Sequence, residues 1–120
     1  MARIMIVDDS DAIRMVLKDI LIIGKHEFVA EASNGLEALE QFKRTNPDIV
    51  LLDVAMPKKD GLTVLREIIT YKSDAKAIMI TASDNQVTMR ECIKAGAVAY
   101  ILKPFNFEDV LHKISEILNS

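Results

Sequence analysis

The sequence predicts a doubly wound α/β fold, in which five parallel strands alternate with five helices. Five short apolar runs recur along the chain, at residues 4–7, 28–32, 48–53, 77–81 and 99–103. Because most of them show no alternation of polar and apolar residues, they are typical of strands covered on both faces. The segments between them repeat apolar residues with helical spacing. Such strand–helix alternation predicts right-handed crossovers in a parallel sheet.

The helical segments are identified by apolar residues three and four positions apart. The residues that carry this pattern are Ile13, Val16, Leu17, Ile20 and Leu21 in the first helix, Leu62, Leu65, Ile68 and Ile69 in the third, and Val110, Leu111, Ile114 and Leu118 in the fifth. The second helix is expected at 35–44 and the fourth at 84–95, closed by Gly96. Asp60, directly before Gly61, is expected to open the third helix.

The composition indicates one domain with a substantial core and no strongly charged partner. Half of the 120 residues are hydrophobic, and the net charge of −3 is too small to argue for nucleic acid. No apolar run is long enough for a signal peptide or a membrane span. The one cysteine, Cys92, has no internal disulfide partner, which suits a reducing, cytoplasmic location. We expect residues 1–120 to form a stand-alone, monomeric domain without an output domain.

Polar side chains follow four of the five predicted strands. Asp8 and Asp9 follow the first strand, and Asp53 ends the third. Thr81 ends the fourth strand and Lys103 ends the fifth. Each residue alone has an ordinary interpretation, such as a helix cap or a solvated charge. Because the carboxyl ends of parallel strands meet at one edge, where such sheets bind ligands, the set as a whole predicts a functional site.

The residue types at this edge indicate phosphoryl chemistry with a metal. Two carboxylates about 4 Å apart repel each other by roughly 1–4 kcal/mol, so three of them in a cleft require a cation. A few carboxylate ligands supplemented by water favour Mg²⁺. A hydroxyl and a lysine beside such an ion suit the oxygens of a phosphoryl group. Asp53 is then the candidate nucleophile.

Four motifs carry a resemblance to a known family. They are "IVDDS", "PDIVLLDVAMPKKDG", "MITAS" and "AYILKPF", and they span the whole chain in order. With them, the chain resembles the receiver domain of two-component response regulators, in particular the single-domain, chemotaxis-type (CheY-like) regulators. The resemblance implies a flavodoxin-like fold with strand order 2-1-3-4-5. It also implies a cis peptide bond before Pro104.

The resemblance implies a metal site and a phosphoacceptor. Asp53 matches the phosphoacceptor of the family and one of its Mg²⁺ ligands. Asp9 matches the other direct carboxylate ligand, and Asp8 matches the acid that holds the water shell of the metal. Ala55 lies where a backbone carbonyl completes the coordination sphere, so its side chain is not expected to matter for binding.

The resemblance also implies a switch and its partners. Thr81 matches the hydroxyl that moves toward the phosphoryl group, Lys103 the lysine that pairs with its oxygens, and Tyr100 the aromatic residue that swings inward. The phosphoryl donor is expected to be a phosphohistidine of a sensor histidine kinase. The signal is expected to pass to a motility-switch or adaptor protein through the helix 4–strand 5–helix 5 face, and a phosphatase is a further expected partner. The chain would catalyse only its own phosphorylation and dephosphorylation.

Several alternatives remain open at this point. A phosphorelay intermediate is the nearest, since it can also be a stand-alone receiver, and a receiver-like interaction module that is never phosphorylated is more distant. A haloacid-dehalogenase-type phosphatase would need an Asp-x-Asp pattern on the first strand, and Asp9-x-Asp11 is in the wrong phase. A nucleotide-binding fold would need glycines where the chain has "DDSD".

Overall fold

The computed structural model describes residues 1–120 as five strands and five helices in strict alternation. The strands are β1 (Arg3–Val7), β2 (Glu27–Ala32), β3 (Ile49–Leu52), β4 (Lys76–Thr81) and β5 (Ala99–Leu102). The helices are α1 (Asp11–Ile23), α2 (Gly35–Thr45), α3 (Gly61–Tyr71), α4 (Gln86–Lys94) and α5 (Phe107–Leu118). Every element that the sequence predicts is present.

All five strands pair in parallel, in the order β2-β1-β3-β4-β5. This arrangement confirms the predicted fold class and strand order. Strand β3 lies at the centre, and all four of its residues are buried. Strand β2 pairs with one side of β1, and β3 pairs with the other side. The carboxyl ends of β1 and β3 therefore flank the switch point, where such sheets form a crevice.

Alternating side chains of the strands pack into two separate cores. On one face, Ile4 and Ile6 of β1 join buried residues of α1 and α5. On the other face, Met5 and Val7 join buried residues of α2, α3 and α4. Cys92 of α4 is fully buried in this second core. Because both faces are covered, the strands read as continuous apolar runs in the sequence.

Each helix begins at a polar side chain that accepts a hydrogen bond from a backbone N–H of the first turn. The five capping residues are Ser10, Asn34, Asp60, Asn85 and Asn106. The cap at Asp60 confirms the predicted start of α3. The predicted start of α4 at residue 84 was wrong by two residues, because the Asn85 side chain accepts from the N–H groups of Val87 and Thr88.

Two further observations concern one peptide bond and the character of the helices. The peptide bond between Lys103 and Pro104 is cis, as the family resemblance implies. None of the helices has both the length and the apolar character needed to cross a membrane.

Candidate functional site

The polar residues predicted at the strand ends meet at the carboxyl edge of the sheet. Asp8, Asp53 and Thr81 are 1%, 4% and 1% exposed, and they are the only buried polar or charged residues of the chain. Burial of a charged group is costly unless another charge or a hydrogen bond compensates it. Their concentration at one edge therefore marks this crevice as the chemically unusual part of the molecule.

Three carboxylates form a cluster that fits a small divalent cation. One oxygen from each of Asp8, Asp9 and Asp53 lies within 4.8 Å of the other two. Asp8 and Asp53 are buried, whereas Asp9 is exposed and leaves the cluster open to solvent. A few hard oxygen ligands with an open, wet side suit Mg²⁺, which keeps several of its waters. Ala55 lies in the loop after β3, where its backbone is close enough to affect the Asp53 carboxyl.

Lys103 is the cation that the chain itself provides to this cluster. Its Nζ lies 2.8 Å from Asp8 Oδ2 and 3.6 Å from Asp53 Oδ2, and its side chain is 18% exposed. The other oxygen of Asp8, Oδ1, accepts a hydrogen bond of 2.9 Å from the backbone N–H of Ser10. Both Asp8 oxygens are thus engaged. Asp53 receives only the more distant contact from the ammonium group.

The environment of Asp53 disfavours its charged form. Burial raises the pKa of this carboxyl above its ordinary value, and the neighbouring Asp8 raises it further. Lys103, the Thr81 side chain and the Ala55 backbone act in the opposite direction, but burial remains the largest effect. A cation bound at the cluster would stabilise the Asp53 carboxylate, since one lysine is shared between two buried acids.

Thr81 connects the acid cluster to the strands β4 and β5. Its hydroxyl accepts a hydrogen bond of 3.3 Å from the backbone N–H of Ser83, and its side chain faces Asp53. The Thr81 carbonyl accepts a hydrogen bond of 2.8 Å from the backbone N–H of Lys103. Displacement of Thr81 would therefore disturb hydrogen bonds to both the β4–α4 loop and Lys103.

Tyr100 lies on β5, and its hydroxyl reaches the same loop. The O–H donates to the carbonyl of Ser83 at 2.9 Å, and the half-buried ring packs against the core shared with α4. Burial raises the pKa of this phenol. Tyr100 does not contact the acid cluster in this arrangement. It is connected to Thr81 through Ser83, which bonds to both residues.

A close backbone contact explains the Asp-Gly pair that begins α3. A Cβ added at Gly61 would lie 1.9 Å from the carbonyl oxygen of Asp53. The Gly61 N–H also donates to the carbonyl of Val54 at 2.7 Å. The first turn of α3 thus packs directly on the backbone that presents the Asp53 carboxyl, and only glycine leaves enough space.

Sequence reasoning missed two residues that support the site. Arg14 of α1 donates to the backbone carbonyl of Asp8 and to the carboxylate of Glu31 on β2. The sequence places no charged residue at the end of β2, near Ala32 and Ser33, but Glu31 within that strand bonds to the same arginine that contacts the Asp8 carbonyl. A carboxylate inside the otherwise apolar run "FVAEA" was the signal that could have suggested a buried or paired charge.

Comparisons with known proteins identify the family of this chain. A family model for the response regulator receiver domain matches residues 4–115. The chemotaxis protein CheY of Bacillus subtilis is 44% identical over 117 residues, which cover 98% of each chain. CheY of Thermotoga maritima is 40% identical over 115 residues, 96% of each chain.

The solved structures include similar molecules. One is the crystal structure of the CheX-CheY-BeF3-Mg²⁺ complex from Borrelia burgdorferi, with a TM-score of 0.93 and 33% sequence identity. The alignment covers 97% of this chain and 88% of that chain. A CheY-like receiver domain protein from Methanospirillum hungatei aligns with a TM-score of 0.92 and 32% identity, over 99% of this chain and 94% of that one. Together with the family match over nearly the whole sequence, these findings establish that the chain belongs to the response regulator receiver domain family.

Proposed function

We propose that this protein is a phosphorylation-activated signalling switch of a two-component system. It accepts a phosphoryl group from a phosphohistidine of a sensor histidine kinase onto Asp53, with Mg²⁺ as the metal. The observation that carries the proposal is the concentration of the buried polar residues around one carboxylate triad with a single lysine. The chemotaxis names of the relatives support a role in motility control.

The residues of the triad would hold Mg²⁺ together with the backbone of the following loop. Asp9 and Asp53 would ligate it directly, Asp8 would hold its water shell, and the Ala55 carbonyl would complete the sphere. When bound, the ion neutralises negative charge on the carboxylates and on phosphoryl oxygens. The open side of the cluster at exposed Asp9 supports this assignment, since Mg²⁺ dehydrates reluctantly.

In the transfer itself, an oxygen of Asp53 forms a bond to phosphorus while the nitrogen–phosphorus bond of the donor breaks. The bonding electron pair remains on the leaving imidazole nitrogen. Lys103 and the Thr81 hydroxyl stabilise the phosphoryl oxygens, because both already face Asp53. Since the carboxyl must be ionised to attack, the lowering effect of Lys103 on the Asp53 pKa also contributes to reactivity.

An exposed apolar face on α1 fits the docking of the donor. Met15, Val16, Ile22 and Ile23 are all exposed, and their spacing places them on one side of the helix. Helix α1 begins two residues after the acid pair, so a helical partner resting there brings a phosphohistidine to the crevice. Ile22→Glu should slow phosphorylation by a sensor kinase and leave phosphorylation by a small-molecule donor unchanged.

The output surface is the face formed by α4, β5 and α5. A cavity of about 370 Å³ opens there, lined by Met89, Tyr100, Ile101, Leu102, Asp109, His112 and Lys113. Aspartyl phosphate adds about 1.5–2 negative charges if it behaves as other protein phosphates do. Attraction of Thr81 to these oxygens would break its bond from Ser83 and alter the loop that holds Tyr100. A downstream motility or adaptor protein would read this change by contact.

The first experiment is intact-mass spectrometry after incubation with Mg²⁺ and acetyl phosphate. We expect one phosphoryl adduct that is absent in Asp53→Asn and in EDTA-treated protein, and that hydroxylamine removes. An adduct that persists in Asp53→Asn would refute the assignment of the acceptor. Absence of an adduct with both acetyl phosphate and phosphohistidine donors would favour an interaction module that is never phosphorylated. We expect no multiple turnover of phosphomonoesters, since the protein acts only on its own phosphoryl group.

A further inference from the structure

The guanidinium group of Arg14 is an unusually well-fixed cation beside the proposed metal site. Its Nη1 donates to the backbone carbonyl of Asp8 at 2.6 Å, and its Nε donates to Glu31 Oε1 at 2.8 Å. Its Nη2 donates to the carboxylate of Asp11. The side chain is only 11% exposed. Three acceptors from α1, β2 and the β1–α1 loop therefore hold one planar group in a single orientation.

Glu31 supplies the anchor on the edge strand of the sheet. Its second oxygen accepts from Lys18 Nζ at 2.5 Å, so both carboxylate oxygens are engaged by cations. The hydrogen bond from Lys18 is the main reason that the pKa of Glu31 is lowered, and Arg14 acts in the same direction. Glu31 thus stays ionised and ties the Arg14 side chain to strand β2.

The carbonyl that Arg14 holds belongs to the peptide between Asp8 and Asp9. Because a peptide unit is planar, fixing this carbonyl also fixes the N–H and the Cα of Asp9. Asp8 is independently held through its N–H, which donates to Ala32 O at 3.1 Å, and through Lys103. Asp9 is exposed, and its carboxylate has no hydrogen bond or ion pair within the chain, so the preceding peptide is the part of this residue that is held.

We propose that Arg14, anchored by Glu31, is a positioning residue that directs the Asp9 carboxylate into the metal cluster. The inference rests on the proposed function in taking Mg²⁺ as the ion. Arg14 acts through the backbone and not through its charge, because Glu31 and Asp11 neutralise that charge locally. The cluster is therefore arranged before an ion arrives, and the ion does not have to order the β1–α1 loop.

The test measures Mg²⁺ affinity of the unphosphorylated protein, with the metal alone as probe. An NMR titration of the backbone amides near Asp9 and Asp53 gives the dissociation constant, and the same spectra verify that each variant is folded. Removal of groups that orient metal ligands commonly costs 10–100-fold in affinity. Since Arg14 acts one step further away, we expect Arg14→Ala to weaken Mg²⁺ binding about tenfold.

Two milder variants cover the case in which Arg14→Ala does not fold. Arg14→Lys retains the charge but has no planar fork for three acceptors, so we expect an intermediate loss of about threefold. Glu31→Gln keeps the size of the anchor and weakens its hold on Arg14, with a similar loss. In metal-free protein, the amides of Asp9 and Ser10 should exchange hydrogen faster in each variant than in the unmodified chain.

Arg3 provides a matched control at the opposite end of the same two strands. Its Nη1 donates to the carbonyl of Asn46 at 3.0 Å, and its Nε lies 3.9 Å from Glu27 of β2. Arg3→Ala should lower stability without changing Mg²⁺ affinity. The inference would be overturned if all Arg14 and Glu31 variants bound Mg²⁺ within twofold of the unmodified protein, or if Arg3→Ala lost as much affinity as they do. Either result would leave the proposed metal site standing. Absence of Mg²⁺ binding in the unmodified protein would overturn the proposed metal site as well.

Discussion

Replacing Asp53 by asparagine should stabilise the metal-free protein, although it removes the proposed phosphoacceptor. The Asp53 carboxylate is buried, and oxygens of Asp8 and Asp9 lie within 4.8 Å of it. Asparagine has nearly the same shape and keeps a carbonyl that can accept hydrogen bonds. The substitution therefore removes mainly a charge, and that charge is opposed by burial and by its neighbours.

The structure gives the size of this effect. With an effective dielectric of about 20, the buried Asp8 charge, no more than 4.8 Å away, opposes the Asp53 charge by about 3.5 kcal/mol. Burial, the largest effect on Asp53, adds an effective penalty of about 3 kcal/mol. Lys103, at 3.6 Å, favours the Asp53 charge by about 4.6 kcal/mol on the same Coulomb scale. We therefore expect Asp53→Asn to raise the free energy of unfolding by about 2 kcal/mol, which corresponds to roughly 8 °C in Tm for a domain of this size.

Urea denaturation followed by circular dichroism in EDTA measures the difference between the two proteins at several pH values. Burial raises the pKa of Asp53 in the folded state. At pH values above that raised pKa, the ionised carboxylate therefore lowers the free energy of unfolding by its full amount. The cost disappears as the pH falls toward the ordinary value of 3.8, because the carboxyl is then protonated in both states. The advantage of Asp53→Asn should thus be largest at pH 7 and should shrink toward pH 4.

Asp60→Asn is the matched control, since Asp60 is an exposed residue that caps α3. Asparagine caps helices about as well as aspartate, so we expect a change within about 0.5 kcal/mol. A lower stability of Asp53→Asn in EDTA would refute the reasoning. So would an advantage that stays constant between pH 7 and pH 4, because it could not then arise from ionisation of Asp53.

Three other substitutions should be measurable in the same denaturation assay. Lys103→Met should lower the free energy of unfolding by about 2–4 kcal/mol, because it leaves the Asp8 charge buried and unpaired. The same substitution should tighten Mg²⁺ binding in a calorimetric titration, because it removes a cation that competes for Asp8. His26 accepts a backbone hydrogen bond at Nδ1 and its pKa is lowered by burial, so stability should fall on acidification through the ordinary value of 6.5. His26→Gln should remove that slope, and an unchanged slope would exclude His26 as its source. Gly61→Ala should cost about 3 kcal/mol and weaken Mg²⁺ binding, since its Cβ would overlap the Asp53 carbonyl; a stable variant with normal affinity would contradict this.

The parts of the site that the sequence predicts are those fixed by topology. Once the runs are recognised as parallel strands, their carboxyl ends must share an edge, so Asp8, Asp53, Thr81 and Lys103 are brought together. The periodicity of a strand does not specify its neighbours in the sheet. The order β2-β1-β3-β4-β5 therefore came from the family resemblance and not from the spacing of apolar residues.

The parts that the sequence does not predict depend on side-chain contacts between distant residues. Arg14 and Glu31 are 17 positions apart, and nothing in either local pattern indicates that they pair. The start of α4 was also misplaced, because Ser83, Asp84 and Asn85 are all good caps. The choice among them depends on tertiary contacts, in which the amide and carbonyl of Ser83 already bond to Thr81 and Tyr100.

The position of Lys103 suggests why a single phosphoryl group on Asp53 can alter a distant face. Its ammonium group lies within hydrogen-bond distance of Asp8 but 3.6 Å from Asp53. It is therefore paired mainly with Asp8, the acid that is not phosphorylated. On the proposed function, new negative charge on Asp53 competes with Asp8 for this one cation. Because the backbone N–H of Lys103 is bonded to Thr81, the lysine and the hydroxyl respond together. Lys103 directly follows β5, the strand that carries Tyr100, so a shift at the acid cluster reaches the α4–β5–α5 face through the backbone of β5 as well as through the Ser83 loop.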